Sequence, residues 1–199
     1  MTHDQILALG LYAVVTTITP GPNNLMLMAS GANFGFARTL PHMFGVTGGF
    51  ALMIALVGMG VTRVFDAWPP SYTLLTVLSL AYLLYLAWRI ARAAPPDQAE
   101  AVGRPLSFLQ AALFQWVNPK AWAMGLSAVT IYAADRSVPA VLIVAATFGV
   151  VSMPCISLWT LLGGQVRRVL SSPFVLRLFN WIMAALLILS LLPTLINAA

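Results

Sequence analysis

Two proline-marked stretches hold the residues of this chain best suited to chemistry. Thr19-Pro20-Gly21-Pro22-Asn23-Asn24 interrupts one apolar segment, and Asn118-Pro119-Lys120 interrupts another. Proline lacks a backbone donor and clashes with the preceding turn, so each stretch frees polar backbone groups inside an otherwise helical run. In a bilayer such groups are tolerated only where protein buries them or where they line a cavity. A helix restarting after each break offers free N–H groups and the positive end of its dipole. Two such ends facing each other suit a carboxylate. The chemistry implied is binding, not bond-making.

Each residue in these stretches has a specific part to play. Asn118 is a good N-cap and Pro119 a good first helical residue, so a half-helix is expected to begin there. In the first stretch Gly21 permits the turn, Pro22 fits the first helical position, and Asn23 and Asn24 add amide donors and acceptors. The plainer alternative is that Pro20, Pro22 and Pro119 only kink packed helices. Lys120 is the one formally charged residue deep in an apolar segment. Its stem is too short to snorkel easily from mid-bilayer, and intramembrane ionisable residues are functional by default. It either meets a substrate carboxylate or carries a proton, or it bonds freed carbonyls at the first break and ties the half-helices together. His42, after Pro41, is a candidate proton relay, with a capping or interface role as the alternative.

The elements that position these residues are membrane spans. The chain has 199 residues, of which 60% are hydrophobic and only 8% charged. A soluble domain carries roughly a quarter charged residues, so an all-α integral membrane protein is expected. A spanning helix needs about 20 apolar residues. Six segments qualify, at 6–29, 40–61, 72–88, 106–132, 138–162 and 174–196. The N-terminus lacks a basic n-region, so the first segment reads as a retained helix and not a signal peptide.

The segment starts repeat with offsets of about 100, 98 and 102 residues. Pro20 lies 14 residues into its segment and Pro119 lies 13 into its own. At about 1.5 Å per residue both stand near the bilayer midplane. The expectation is one transmembrane domain over 1–199, built as two inverted three-helix repeats with helices 1 and 4 broken. The repeats cover 1–93 and 106–199, joined by a cytoplasmic linker at 94–105. Seven arginines lie on the loops after segments 1, 3 and 5, against Arg63 and Arg136 on the other side. That asymmetry places the richer side in the cytoplasm.

Several function classes find no support. Cys155 is alone, which excludes an internal disulfide or a dithiol centre. Small membrane oxidoreductases of similar hydropathy need two cysteines. No phosphate loop, zinc pattern or Ser/His/Asp grouping occurs, so neither a cofactor nor a metal is expected. The net charge of +5 is spread over loops, where lipid headgroups explain it better than nucleic acid. Gly31-xxx-Gly35 and Gly45-xxx-Gly49 read as close helix contacts within the chain, with dimerisation as the lesser alternative.

Thr19-Pro20-Gly21-Pro22-Asn23-Asn24-Leu25-Met26, followed by 29–36, resembles the N-terminal signature of LysE/RhtB-type amino-acid exporters. Asn118-Pro119-Lys120-Ala121-Trp122 is similar to their second signature. The resemblance runs over nearly the whole chain. It implies a bacterial inner-membrane carrier that exports amino acids or close derivatives, usually credited to proton-motive force. Carried over by position, it puts substrate contact at Pro20, Gly21, Pro22, Asn23, Asn24, Asn118, Pro119 and Lys120. The spans hold no acid to meet a dicationic substrate, so a neutral or zwitterionic amino acid is expected. A passive channel or an assembly subunit, and a homo-oligomer, remain open alternatives.

Overall fold

The computed structural model describes residues 1–93, 104–169 and 172–190. The described residues are helical, with short turns between helices. The linker expected at 94–105 and the end of the sixth segment lie largely outside them.

The first segment is two helices, α1 (His3–Ile18) and α2 (Pro22–Phe34). A capping box starts α1: Thr2 Oγ1 accepts from the Gln5 N–H at 3.3 Å, and Gln5 Oε1 accepts from the Thr2 N–H at 2.8 Å. Helix α3 (Phe36–Gly58) follows after one residue, Gly35, whose φ of +80° is the left-handed conformation that favours glycine. A short helix α4 (Thr62–Ala67), which the hydropathy pattern does not show, leads into α5 (Pro70–Ala91). The second half begins with α6 (Phe108–Phe114) under another capping box, from Ser107 and Gln110. A single 3-10 turn at Gln115–Val117 and the break at Asn118 lead to α7 (Pro119–Tyr132), α8 (Val138–Val169) and α9 (Pro173–Leu189).

Both expected interruptions are present, at different distances from the helix starts. Pro20 lies 17 residues past His3, whereas Pro119 lies 11 past Phe108. The capping boxes fix the helix starts, and hydropathy alone misplaces them. Three helices are individually long and apolar enough to cross a membrane: α3, α5 and α8, the last over Val138–Val166. The helices turn large apolar side chains outward, among them Leu11, Leu52, Val77, Val150 and Trp181. So extensive an apolar surface fits lipid and not water.

Glycines set the close crossings. A Cβ on Gly31 would run into the Thr160 carbonyl, and one on Gly163 into the Met28 carbonyl, so α2 and α8 touch backbone to backbone. Gly45 and Gly49 admit the backbone of α6 at Phe108 and Ala112 in the same way. These contacts are within the chain, as small-residue patterns in spans lead one to expect. Helix α5 packs on α9, and α3 packs on α8.

Candidate functional site

The first break is built by Pro20. The residue before a proline is pushed out of the α region, and Thr19 is extended at φ −63°, ψ 144°. Gly21 follows at φ 176°, ψ 178°, extended backbone that any residue adopts. The turn therefore does not need glycine for its conformation, contrary to the sequence expectation. What Gly21 provides is room: a Cβ there would stand 2.6 Å from Lys120 Cδ.

Every carbonyl freed at the end of α1 finds a donor. Thr19 closes its own turn, through its N–H to Val15 O and its hydroxyl to Thr16 O. Asn24, only 3% exposed, donates Nδ2 to Thr17 O at 2.7 Å and Thr19 O at 2.8 Å. Trp159 Nε1 on α8 donates to Ile18 O at 3.0 Å. Lys120 Nζ, arriving from the other break, donates to Thr19 O at 2.6 Å, Thr19 Oγ1 at 2.8 Å and Pro20 O at 3.2 Å. An ammonium has three protons, and these three oxygens take them all. Residues about 100 positions apart in sequence are thereby joined, and the two breaks meet.

The second break repeats the logic. Asn118, before Pro119, is extended at φ −94°, ψ 108°, and its Oδ1 accepts from the Lys120 N–H at 3.1 Å. Beside it Gln115 and Asn23 exchange a reciprocal amide pair, at 2.8 Å and 3.2 Å. Trp122 Nε1 donates to Trp116 O at 2.8 Å, closing the turn over the break. Among the described residues no hydrogen bond engages the N–H of Asn23, Asn24 or Ala121. These are the orphan donors expected in a helix's first turn.

A cavity of about 30 Å³ lies where the breaks meet. Its polar wall includes Gly21, Asn23 and Asn24 from the first break and Asn118 and Lys120 from the second. Thr16, Thr17, Gln115 and Ser152 complete that wall, and Val46, Phe50, Ala121, Met124 and Ile156 make the apolar one. Thr17 Oγ1 and Ser152 Oγ are buried with no hydrogen-bond partner among the described residues. Unpaired buried hydroxyls are costly, and both of these residues line the one cavity. The volume suits about one or two waters, and an amino acid is larger.

The structure thus brings Gly21, Asn23, Asn24, Asn118 and Lys120 to one cavity, with Pro20, Pro22 and Pro119 shaping the backbone around it. His42 is not among them; it lines a different cavity. Sequence reasoning missed Thr17, Gln115 and Ser152. Gln115 lies one turn before the second break and Thr17 just before the first, so distance from a proline was the available signal. Ser152 carried none, because only packing of α8 on α2 brings it in.

The family model described as LysE type translocator matches residues 14–191, which includes both breaks. This chain belongs to that family. Its members are translocators, so the protein is a transporter and not an enzyme, with apolar helices that make it a multi-pass protein of the bacterial inner membrane. It is similar to the cysteine/O-acetylserine efflux protein of Klebsiella pneumoniae subsp. pneumoniae, at 30% identity over 94% of this chain and 95% of that one. The protein of the same name from Escherichia coli K12 is 29% identical over 84% of this chain and 87% of that one. No solved structure matches the chain.

The filled space around Gly21 gives a prediction. Gly21→Ala is expected to displace the Lys120 side chain from Thr19 and Pro20, because its Cβ takes the place of Lys120 Cδ. The flexible lysine moves more easily than the backbone, so folding should change by less than about 1 kcal/mol. Transport should nonetheless fall at least several-fold. Equal loss of melting temperature and flux would show that Gly21 serves packing alone.

Proposed function

We propose that this translocator exports amino acids or close derivatives, with the substrate held between the two breaks. The carrying observation is Lys120, whose ammonium bridges from the first turn of α7 to the carbonyls that end α1. In this reading Lys120 stands in for the substrate's own ammonium. An entering amino acid presents its carboxylate to Lys120 and to the free N–H groups of Asn23, Asn24 and Ala121. Lys120 swings to the carboxylate, and the substrate ammonium takes the oxygens of Thr19 and Pro20. Both positions keep their hydrogen bonds, so the exchange costs little.

The wall chemistry supports a short polar side chain. Thr17 and Ser152 offer unpaired hydroxyls, and the Asn23–Gln115 pair offers amides, while Phe50 and Met124 limit bulk. The related proteins are named for cysteine and O-acetylserine efflux, and neutral amino acids of that size are the substrates we assign. We assign proton coupling from the proton-motive force to Lys120 and His42.

Two inverted three-helix repeats account for the reciprocal packing, with α1 and α2 on α8, and α6 and α7 on α3. Alternating access then rocks one repeat against the other around the cavity. The basic side faces the cytoplasm. Cysteine at position 98, Gln98→Cys in a Cys155→Ser background, is expected to resist an impermeant thiol reagent on whole cells. Ready labelling would reverse the orientation.

The function itself is tested by counterflow in proteoliposomes against a panel of labelled amino acids. Cysteine, O-acetylserine and serine are expected to accumulate transiently against their gradient, and lysine is not. Accumulation of lysine alone would overturn the substrate class, and leak without counterflow would indicate a channel.

A further inference from the structure

A cavity of about 410 Å³ lies not at the breaks but toward the basic end. That volume falls within the range of about 300–1,000 Å³ typical of small-molecule sites. Its polar lining comprises Ser30, Asn33, His42, Arg89, Arg92 and Arg104. Met26, Leu86 and Leu106 give it an apolar wall.

His42 is the unusual member. It is 2% exposed, yet neither ring nitrogen has a hydrogen-bond partner among the described residues. A buried imidazole left unpaired loses the hydrogen bonds it had in water, a cost on the order of 1–3 kcal/mol. Its polar neighbours on α2 bond to other groups. Ser30 shares a hydrogen bond with Thr39 at 2.9 Å. Asn33 and Asn180 exchange amide bonds at 2.7 Å and 3.0 Å, and Asn180 also donates to Ala93 O. Those bonds hold α2, α9 and the end of α5 together and give the cavity a fixed wall. Arg89 is steadied in turn by donating to the Arg104 carbonyl at 3.2 Å.

The cavity is close to the breaks without being part of them. Val46 lines the small cavity and His42 the large one, four residues apart on α3. That is about 6 Å along the helix axis. Leu27, Met43 and Phe114 belong to the same buried apolar cluster as Val46 of the small cavity and Met26, Leu86 and Leu106 of the large one. The opposite side of the small cavity is closed more heavily, by ring contacts among Phe50, Phe148, Tyr12 and Tyr132.

We propose that the basic-end cavity is a second, separate binding site for a free amino acid, with its carboxylate held by Arg89, Arg92 or Arg104 and His42 as a hydrogen-bonding partner. An exporter draws its substrate from the cytoplasm, where it is mixed with many other solutes. A site one helical turn from the cavity at the breaks captures it there before it passes on to them. Guanidinium groups suit a carboxylate through paired N–H donors. This inference rests on the reading that the carried molecule is an amino acid, but it concerns different residues from the site at the breaks.

The test is equilibrium binding of radiolabelled O-acetylserine to the purified full-length protein in neutral detergent. Two molecules per chain are expected at saturation. Lys120→Met should retain one, and His42→Leu should retain the other. His42→Asn, which keeps a donor and an acceptor, should recover part of the lost binding. One molecule per chain, lost in Lys120→Met and kept in His42→Leu, would overturn the second site and leave the site at the breaks. One molecule lost in His42→Leu and kept in Lys120→Met would support the second site and sink the first. A phosphate headgroup could satisfy the same arginines, so binding is repeated in nanodiscs with and without anionic lipid. Loss of the His42-dependent molecule on adding anionic lipid would assign the cavity to lipid and overturn the proposal.

Discussion

Lys120→Met is expected to abolish counterflow while the protein still reaches the membrane and purifies folded. The substitution removes all three bonds from Nζ. Thr19 O keeps Asn24 as a donor and the Thr19 hydroxyl keeps its bond to Thr16 O, so only Pro20 O is left without a partner. Hydrogen bonds between membrane helices average about 0.6 kcal/mol, which puts the folding cost at about 2 kcal/mol at most. The loss in transport is larger. Removing one partner of a buried charge pair costs about 2–5 kcal/mol, or roughly 30-fold to several thousand-fold at 1.4 kcal/mol per decade. Lys120→Arg should recover little, because the planar guanidinium is bulkier and the space beside Gly21 fits an aliphatic stem. Full counterflow by the Met variant would show Lys120 to be a staple and nothing more.

Pro119→Ala is expected to cost transport far more than stability. The proline holds Asn118 extended, and without it the 3-10 turn and α7 can fuse into one helix. Fusion would bond the free N–H groups of the second break and turn Asn118 away from the cavity. The protein should melt within a few degrees of the parent or above it, since a proline interrupting a helix is unfavourable by about 3 kcal/mol. Counterflow should fall at least tenfold. The kink reading requires stability and activity to fall together. At the first break a single Pro22→Ala should do little, because Pro20 still holds Thr19 extended. Only the pair Pro20→Ala with Pro22→Ala is expected to reproduce the effect there.

The breaks were legible because proline acts locally: its missing N–H and its clash with the preceding residue do not depend on the rest of the fold. Asn118 as a cap followed from the same local chemistry. The role of Gly21 was not legible, since it depends on a lysine 99 residues away. The helix starts were misplaced by two or three residues because hydropathy cannot see the capping boxes at Thr2 and Ser107 that set them. Lys120 could be singled out by its charge in an apolar segment, but its partners are backbone carbonyls, which leave no mark in the sequence. His42 was visible as a candidate, and its separation from the breaks was not. That separation comes from the one-turn spacing along α3 and the arginines that α5 and residue 104 bring beside it.

The central claim is that an amino acid binds between the two breaks and is held there by Lys120. Ligand-induced thermal stabilisation of purified protein tests it most directly. A ligand at 100 times its dissociation constant stabilises the folded state by about 2.7 kcal/mol. For a protein of this size that raises the melting temperature by about 5–10 °C. With saturating O-acetylserine the parent is expected to gain the largest rise, and Lys120→Met and Pro119→Ala are expected to lose the share that comes from the breaks and keep only what the basic-end cavity supplies. In the His42→Leu background, where that cavity no longer binds, adding Lys120→Met should abolish the rise. An equal rise in Lys120→Met would contradict binding at the breaks.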